Sequence, residues 1–269
     1  MVEKVPIITL TTDFGESDHY VASIKGVILW INPNITIVDI THNVNPHDVL
    51  EAAFILKNVY RFFPPWSIHL IVVDPDVGSS RRPIIACTEN HYFICPDNGI
   101  LTFVLEEDPL VSAYEITAEH YRRGTVSSTF HGRDIFAPAA AWLSRGLSPT
   151  NIGQEITDVK RIEVPAPVIL DGARIIGRVI HIDRFGNVIV NVNIDFPQRI
   201  DKDILNKKII IKSGNVTIAE FKKNYSEGEA GKPFFLVNSS NFLEIAMYRS
   251  PAASVLSLKR GSEVQIEIE

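Results

Sequence analysis

Two hydrophobic rhythms divide this chain, and the change between them limits the fold more than any motif does. In the first half, short apolar runs alternate with helical periods. "VPIITLTT" and "ITIVDI" read as buried strands. Between them "SDHYVASIKGVILWIN" repeats at helical spacing, with Ser17 placed to cap it. "NPHDVLEAAFILKNVYRFF" is a second helix, with Asn45 as cap, Pro46 as its first residue and Asp48 at the positive end. "IHLIVV" is another buried strand. "RDIFAPAAAWLSRG" is a helix stopping at Gly146, kinked or opened by Pro138. Strand–helix alternation of this kind predicts a mostly parallel sheet flanked by helices.

The rhythm changes at "VPAPVILDGA", where two prolines within four residues and Asp171-Gly172 mark a boundary. Beyond it come almost only strands and turns: "RIIGRVIHI", "NVIVNVN", "KKIIIKSG", "NVTIAEFKK", "PFFLVNSS", "FLEIAMY" and "EVQIEIE". The expectation is an α/β N-terminal domain over residues 1–164, a linker over 165–172, and a small antiparallel β-barrel domain over 173–269.

Composition removes several functional classes. No apolar run approaches the roughly 20 residues of a membrane helix. The formal charge is −6 with Lys and Arg scattered, which argues against a nucleic-acid partner. The N-terminus lacks the basic, apolar and small-residue regions of a signal peptide. A hairpin turn centred on Glu89 and Asn90 sets Cys87 opposite Tyr92, not Cys95. Both thiols therefore read as reduced, and a cytoplasmic protein is expected.

Polar residues gather where first-half strands end, which is where open α/β sheets bind ligands. Asp13 follows the first strand directly, in "TTDFGESD", and a carboxylate there accepts hydrogen bonds from a vicinal diol such as a ribose. Asp18 reads at least as well as a helix-start residue. In "VDITHNVNPHD", His42 and His47 match no metal-ligand spacing and read as loop and cap residues. "VVDPDVGSSRR" ends a strand at Asp74, turns at Pro75 and Gly78, and brings Arg81 and Arg82 within reach of the carboxylate. Arginines beside it speak against a cation; an Asp–Arg pair that only stiffens the loop is the ordinary alternative. His131 precedes a helix in "TFHGRDIFAP", where backbone N–H groups attract anions. Asp183, Phe185 and Asn187 form the tip of "IHIDRFGNVIVNVN"; an exposed ring between an acid and an amide suits a flat heterocycle, though a simple Gly-Asn turn has the same form.

Taken in order, "TTDFG", "IVDITHNV", "VVDPDVGSSRRPI", "PDNG", "TFHGRDIFAP", "IDRFGNVIVN" and "VNSSNFLEIA" resemble the S-adenosyl-L-methionine (SAM) hydroxide adenosyltransferases, or SAM hydrolases, which are related to fluorinases and chlorinases. The resemblance spans nearly the whole chain. It implies an α/β domain followed by a β-barrel, and a homotrimer with active sites shared between subunits. It implies no cofactor and no metal, SAM being the substrate and adenosine and L-methionine the products. On the matching positions it implies that Asp74, Arg81 and His131 surround the attacking water. Asp13 would hold the ribose hydroxyls and Asp18 the methionine amine. Asp183, Phe185 and Asn187 would line the adenine and methionine end, with Ser239 near the methionine. Two positions depart from the family's usual glycines, Asp76 and Asn241; Asn tolerates left-handed backbone.

The chemistry fits those residue types. A sulfonium leaves as a neutral thioether, so neither a general acid nor a metal is required at the leaving group. An aligned oxygen nucleophile behind ribose C5′ suffices. Competing readings are a SAM-dependent halogenase, a SAM or adenosine sensor without turnover, and a metallohydrolase built on Asp13, His42 and Asp74. The charged Asp-Arg-His set favours water over halide.

Overall fold

The computed structural model describes residues 6–170, 174–194 and 208–269. The chain separates into two compact units, one ending at Ile162 and one beginning at Glu163. Asp171 and Gly172, expected to turn at the boundary, lie outside the described residues, as does Lys207 at the start of "KKIIIKSG".

The first unit runs β1 (Ile7–Thr12), α1 (Tyr20–Ile31), β2 (Thr36–Thr41), α2 (Val49–Lys57), β3 (Ile68–Val72), β4 (Pro83–Cys87), β5 (Tyr92–Pro96), α3 (Val104–Glu107), β6 (Ser112–Ile116), α4 (Ala137–Ser144), α5 (Pro149–Ile152) and β7 (Gly153–Ile156). The strands form one sheet in the order β2-β1-β3-β5-β4-β6-β7. β2, β1, β3 and β5 are mutually parallel, and the rest of the ladder is antiparallel. The sheet is therefore mixed, with its parallel half where the alternation is strongest. The short link between β4 and β5 permits only a hairpin, since a parallel return needs a crossover of about a dozen residues. In that hairpin Cys87 pairs with Tyr92 and Ile84 with Cys95, and both thiols are free and buried. Ile8 and Leu10 of β1, Leu70 of β3, Ile24 and Ile28 of α1, and Phe136 and Ala140 pack into one core. Small residues along α4 let it lie close to α1 and β3.

Helix starts differ from the sequence expectation. Helix α1 begins at Tyr20 with His19 at the cap position, so Ser17 does not cap it. Helix α2 is capped by Asp48, whose Oδ1 accepts from Glu51 N at 2.9 Å, not by Asn45. The backbone reverses at His47 (φ 67°), which prevents a helix from running through Pro46. Glu51 Oε2 then accepts from Asn45 N at 2.8 Å, closing the turn from the other side. Ahead of α4 lies a π-helical turn, Gly132–Phe136, and Pro138 sits in the first turn of α4, so it opens the helix without kinking it.

The second unit contains β8 (Val168–Ile169), β9 (Arg174–Ile182), β10 (Val188–Asn193), β11 (Ile209–Ser213), β12 (Val216–Ile218), β13 (Pro233–Val237), β14 (Phe242–Met247), α6 (Ala252–Val255) and β15 (Glu263–Ile268). The pairings between its described strands are antiparallel, in the order β12-β11-β15-β9-β10-β14-β13, with β8 added on β9. The chain leaving β12 hydrogen-bonds to the other edge: Lys222 N donates to Phe235 O and Phe235 N to Glu220 O, each at 2.9 Å. The sheet thus curls into a nearly closed barrel. Its interior is aliphatic, with Val188, Val190, Ile211, Ile245 and Val264 all fully buried. Among the described residues no helix is long and apolar enough to cross a membrane.

Candidate active site

The carboxyl ends of the parallel strands open onto a cleft of about 320 Å³. Asp13 and Phe14 reach it from the end of β1, Pro46 and His47 from beyond β2, Val72, Asp74 and Val77 from β3 and its loop, and Thr129 to Gly132 from the approach to α4. The loop after β3 is fixed by close packing. A Cβ on Gly78 (φ 80°) would stand 2.4 Å from the carbonyl oxygen of Ser128, so the loop rests directly on the segment carrying His131. Only glycine meets both the backbone sign and the contact.

That loop returns Arg81 over Asp74. Arg81 Nε donates to Asp74 Oδ1 at 2.9 Å and Nη2 donates to Oδ2, a forked ion pair whose side chains are only 3% and 6% exposed. The same Nη2 lies 2.9 Å from His131 Nδ1. A guanidinium only donates, so Nδ1 is the acceptor and neutral His131 carries its proton on Nε2. Burial, then the Arg81 charge, holds His131 below its ordinary pKa, which keeps it neutral. The guanidinium stacks over Phe136 at 5.1 Å. Its Nη1 is buried without a hydrogen-bond partner among the described residues, so the guanidinium retains one unspent, strongly charged donor. Arg82 does not join this group. It binds Asp97 and Asp158, and through them ties down the segment before the unit's end.

Asp13 is held at the rim: its Oδ2 accepts from His47 N at 2.9 Å, and Gly15 N donates to His42 O at 2.7 Å. His42 is engaged elsewhere, 2.9 Å from Thr12 Oγ1 and 3.1 Å from Asp39. Among the described residues no group of three or more His, Cys, Asp and Glu is placed to hold a metal ion. Asp18 is exposed and does not line the cleft. Asp76 is exposed in the β3–β4 loop. His47, read from sequence as a plain cap residue, does line the cleft. So do Phe14, Tyr20 and Phe130, whose rings meet at 5.2–6.0 Å. Sequence reading passed over these rings because single aromatics in a strand–helix protein look like core. A wider groove of about 680 Å³, lined by Trp30, Trp142 and Arg122, lies in the same unit, and none of the candidate catalytic or substrate-binding residues lines it.

The second unit carries its own pocket, of about 510 Å³, lined by Asp183, Phe185, Asn187, Tyr225, Met247 and Arg249 to Pro251. Asp183 Oδ1 accepts from Phe185 N and Asn187 N at 2.9 and 2.8 Å, and Oδ2 accepts from Asn187 Nδ2 at 2.9 Å. The carboxylate thus builds the turn that leaves Phe185 78% exposed. Gly186 (φ 82°) is pressed against Pro251, 2.7 Å from where a Cβ would point to its Cα, and Ala253 N donates to Gly186 O at 2.8 Å. Ser239 is exposed in the β13–β14 turn and does not line this pocket. Asn241 in the same turn has φ 63°, the left-handed backbone expected for a residue standing where glycine is usual. Tyr225 and Arg249 were not anticipated; the sequence around them carries no motif, and only the fold brings them to Phe185.

Residues 8–153 match the family model described as SAM hydroxide adenosyltransferase N-terminal domain, and residues 177–265 match the model of its C-terminal domain. A curated protein of Methanocaldococcus jannaschii, named (R)-S-adenosyl-L-methionine hydrolase, is 36% identical over 97% of this chain and 95% of its own length. A fluorinase of an Actinoplanes species is 27% identical over 97% of each chain. The crystal structure of an uncharacterized conserved protein from Thermotoga maritima superposes with a TM-score of 0.88 at 37% identity, covering 97% of this chain and 99% of that one.

Proposed function

The chain belongs to the SAM hydroxide adenosyltransferase family, and from that premise we propose that it hydrolyses S-adenosyl-L-methionine to adenosine and L-methionine. The observation that carries this reading is the Arg81 guanidinium, shared between Asp74 and His131 with Nη1 unspent. A water oxygen accepting from that donor loses proton affinity, and the Asp74 carboxylate beside it takes the proton. The oxygen attacks ribose C5′; the O–C5′ bond forms as the C5′–S bond breaks in line. The bonding pair returns to sulfur, which leaves as a neutral thioether. Neutral His131 holds Nη2 and keeps the guanidinium oriented. No cofactor enters the scheme, so turnover is expected to survive exhaustive chelation.

Asp13 would accept from the ribose hydroxyls. Asp183, Phe185 and Asn187 would receive the adenine and methionine end, and Asp18 and Ser239 would contact the methionine. We further propose, from the family resemblance, a homotrimer with sites completed between subunits. A fully active monomer in sedimentation would reject that assembly.

Incubating the purified protein with SAM in H₂¹⁸O tests the reaction. Adenosine labelled at the 5′ oxygen, together with methionine, is the expected result. Adenine release, or 5′-halogenated nucleoside formed in the presence of halide, would assign a different reaction, and tight binding without product would make the protein a sensor.

A further inference from the structure

Asp74 and Arg81 stand at the two ends of a loop whose residues 75–80 are exposed, and an exposed loop fixes little by itself. The anchors come from the end of β5, in the "PDNG" segment that the reaction scheme leaves unused. The β3–β5 ladder runs to Leu70 and Ile94. Beyond it, Asn98 Nδ2 donates to Val73 O at 2.9 Å and so fixes the peptide that carries Asp74. Asn98 is itself oriented, since its Oδ1 accepts from Ile100 N at 3.3 Å. The other end of the loop is held by the neighbouring residue. Asp97 is 1% exposed, and its Oδ2 accepts from Arg82 Nε and Nη2 at 3.0 and 2.6 Å. Its backbone N donates to Arg82 O at 2.9 Å, and its Oδ1 accepts from Lys160 N at 2.8 Å. The two consecutive arginines thus divide: Arg81 holds Asp74, and Arg82 holds the anchor. Neither Asp97 nor Asn98 lines the cleft.

We propose that Asp97 and Asn98 are positioning residues for the Asp74–Arg81 ion pair, setting the direction in which Arg81 Nη1 meets the attacking water. Asn98 acts through the Val73–Asp74 peptide, and Asp97 acts through Arg82. Two adjacent residues at one strand end therefore fix both partners of the pair against a common frame. A water that must be held in line tolerates little error, because a displacement of about 1 Å costs on the order of a hundredfold in rate. An anchor that only stabilised the unit would change unfolding and leave the geometry of the pair alone. The effect on rate rests on the reading of the protein as a SAM hydrolase, but the geometry of the pair is measurable without turnover.

The test compares Asp97→Asn, Asn98→Asp, Arg82→Lys and Asp158→Ala with the parent. The first two keep the shape of the side chain: Asp97→Asn removes the charge that answers Arg82, and Asn98→Asp removes the donor to Val73 O. Steady-state kinetics with SAM gives kcat and KM, NMR titration follows the His131 ring, and thermal unfolding checks each fold. His131 Nδ1 accepts from Arg81, and the charges acting on this ring are those of Arg81, Asp74, Asp134 and Arg122, so Asp97 reaches it only through Arg81. Asp97→Asn and Asn98→Asp are each expected to lower kcat about ten- to a hundredfold with KM changed less than about threefold. Asp97→Asn is also expected to raise the pH at which His131 titrates, as Arg81 moves off Nδ1. Arg82→Lys keeps a charge and loses the fork; it is expected to lower kcat by a smaller factor, and it carries the test if the changes at the buried positions prevent folding. Asp158→Ala removes the exposed partner of Arg82 and is expected to leave kcat within about twofold. Folded Arg82, Asp97 and Asn98 variants with the parent's kcat and an unmoved His131 titration overturn the inference. So does a loss carried in KM alone, or a loss in Asp158→Ala as large as in Asp97→Asn. A parent that does not turn over SAM defeats the underlying reading instead, and the His131 titration then still decides whether Asp97 positions Arg81.

Discussion

Asp74 and Glu244 are both buried carboxylates, one in each unit, and they are kept underground by different means. Asp74 is answered by a guanidinium in a forked ion pair. Glu244 is answered by the Tyr225 phenol and the Asn238 amide, both neutral. The first arrangement leaves charge to spare: Arg81 still has an unspent donor after satisfying Asp74 and His131. The second leaves none, and desolvation pushes the Glu244 carboxyl above its ordinary pKa. A charged pair at the end of a parallel strand is suited to exchanging a proton with a reacting water. A carboxylate surrounded by neutral donors is suited to fixing the positions of those donors. On the proposed reaction, the contrast would put rate in the first unit and fit in the second.

The largest expected effect tests that assignment directly. Asp74→Asn keeps shape and loses the charge, and Arg81→Lys keeps the charge and loses the fork. Each is expected to lower kcat by about 10²–10³-fold with KM changed little, since the groups act mainly on the transition state. The double variant should be scarcely worse than the more damaged single, because groups acting as a unit lose most of their effect with the first change. Conservative variants matter here: removing one partner of a buried pair outright costs about 3–5 kcal/mol of stability and would confuse rate with folding. If these variants raise KM and spare kcat, the ion pair serves only to stiffen its loop, and the comparison collapses.

A smaller effect concerns pH. His131 must be neutral to accept from Arg81, and burial with the neighbouring charge holds its pKa below 6.5. Activity is therefore expected to stay level from neutral pH to below 6.5. It should then fall about tenfold per pH unit once His131 takes up a proton and faces the guanidinium as a second cation. A pH profile of kcat/KM measures this. An acid limb with a midpoint above 6.5, or one unchanged in His131→Gln, would remove His131 from the set.

Much of this was legible before the fold. Strand–helix alternation followed by strands alone gave the two architectures, because apolar period is set by local geometry that tertiary contacts rarely reverse. Asp74, Arg81 and His131 were visible as polar residues at strand and helix ends. Three things were not legible. The cap of α2 moved because one left-handed residue, His47, redirected the chain, and a φ sign leaves no periodic trace. The antiparallel half of the sheet depends on pairing partners far apart in sequence, such as Glu115 with Gln154. Lone polar residues in apolar strings also hid their roles. His69 in "IHLIVV" proves fully buried against Thr9 and His91, and burial pushes its pKa down to about 3. Glu244 stands out with Asn238, Ser239 and Ser240 among the polar residues of "LVNSSNFLEIA", but its partner Tyr225 lies in a turn with no pattern at all.

The smallest effect is thermodynamic, and it isolates Glu244. Its folded-state pKa is raised above 4.5, first by desolvation and further by the Asp183 charge, against the lowering effect of Tyr225 and Asn238. The folded protein therefore binds this proton more tightly than the unfolded chain. The sign is the reverse of an ion-paired carboxylate: the contribution is fully present below about pH 4.5, declines as pH rises from there towards the folded-state value, and stays lost above it. Glu244→Gln removes the titration and keeps the geometry. The side-chain oxygen takes the Asn238 donor, and the Tyr225 hydroxyl rotates to accept from the new amide. Relative to the parent, Glu244→Gln should gain stability as pH rises above 4.5, with a slope no steeper than about 1.4 kcal/mol per pH unit, the limit for one proton. Urea unfolding of both proteins across that range measures the difference, in which other titrating groups cancel. A difference that stays flat, or that grows as pH falls, would mean that Glu244 is not held against its ionisation, and the distinction drawn from its neutral partners would fail.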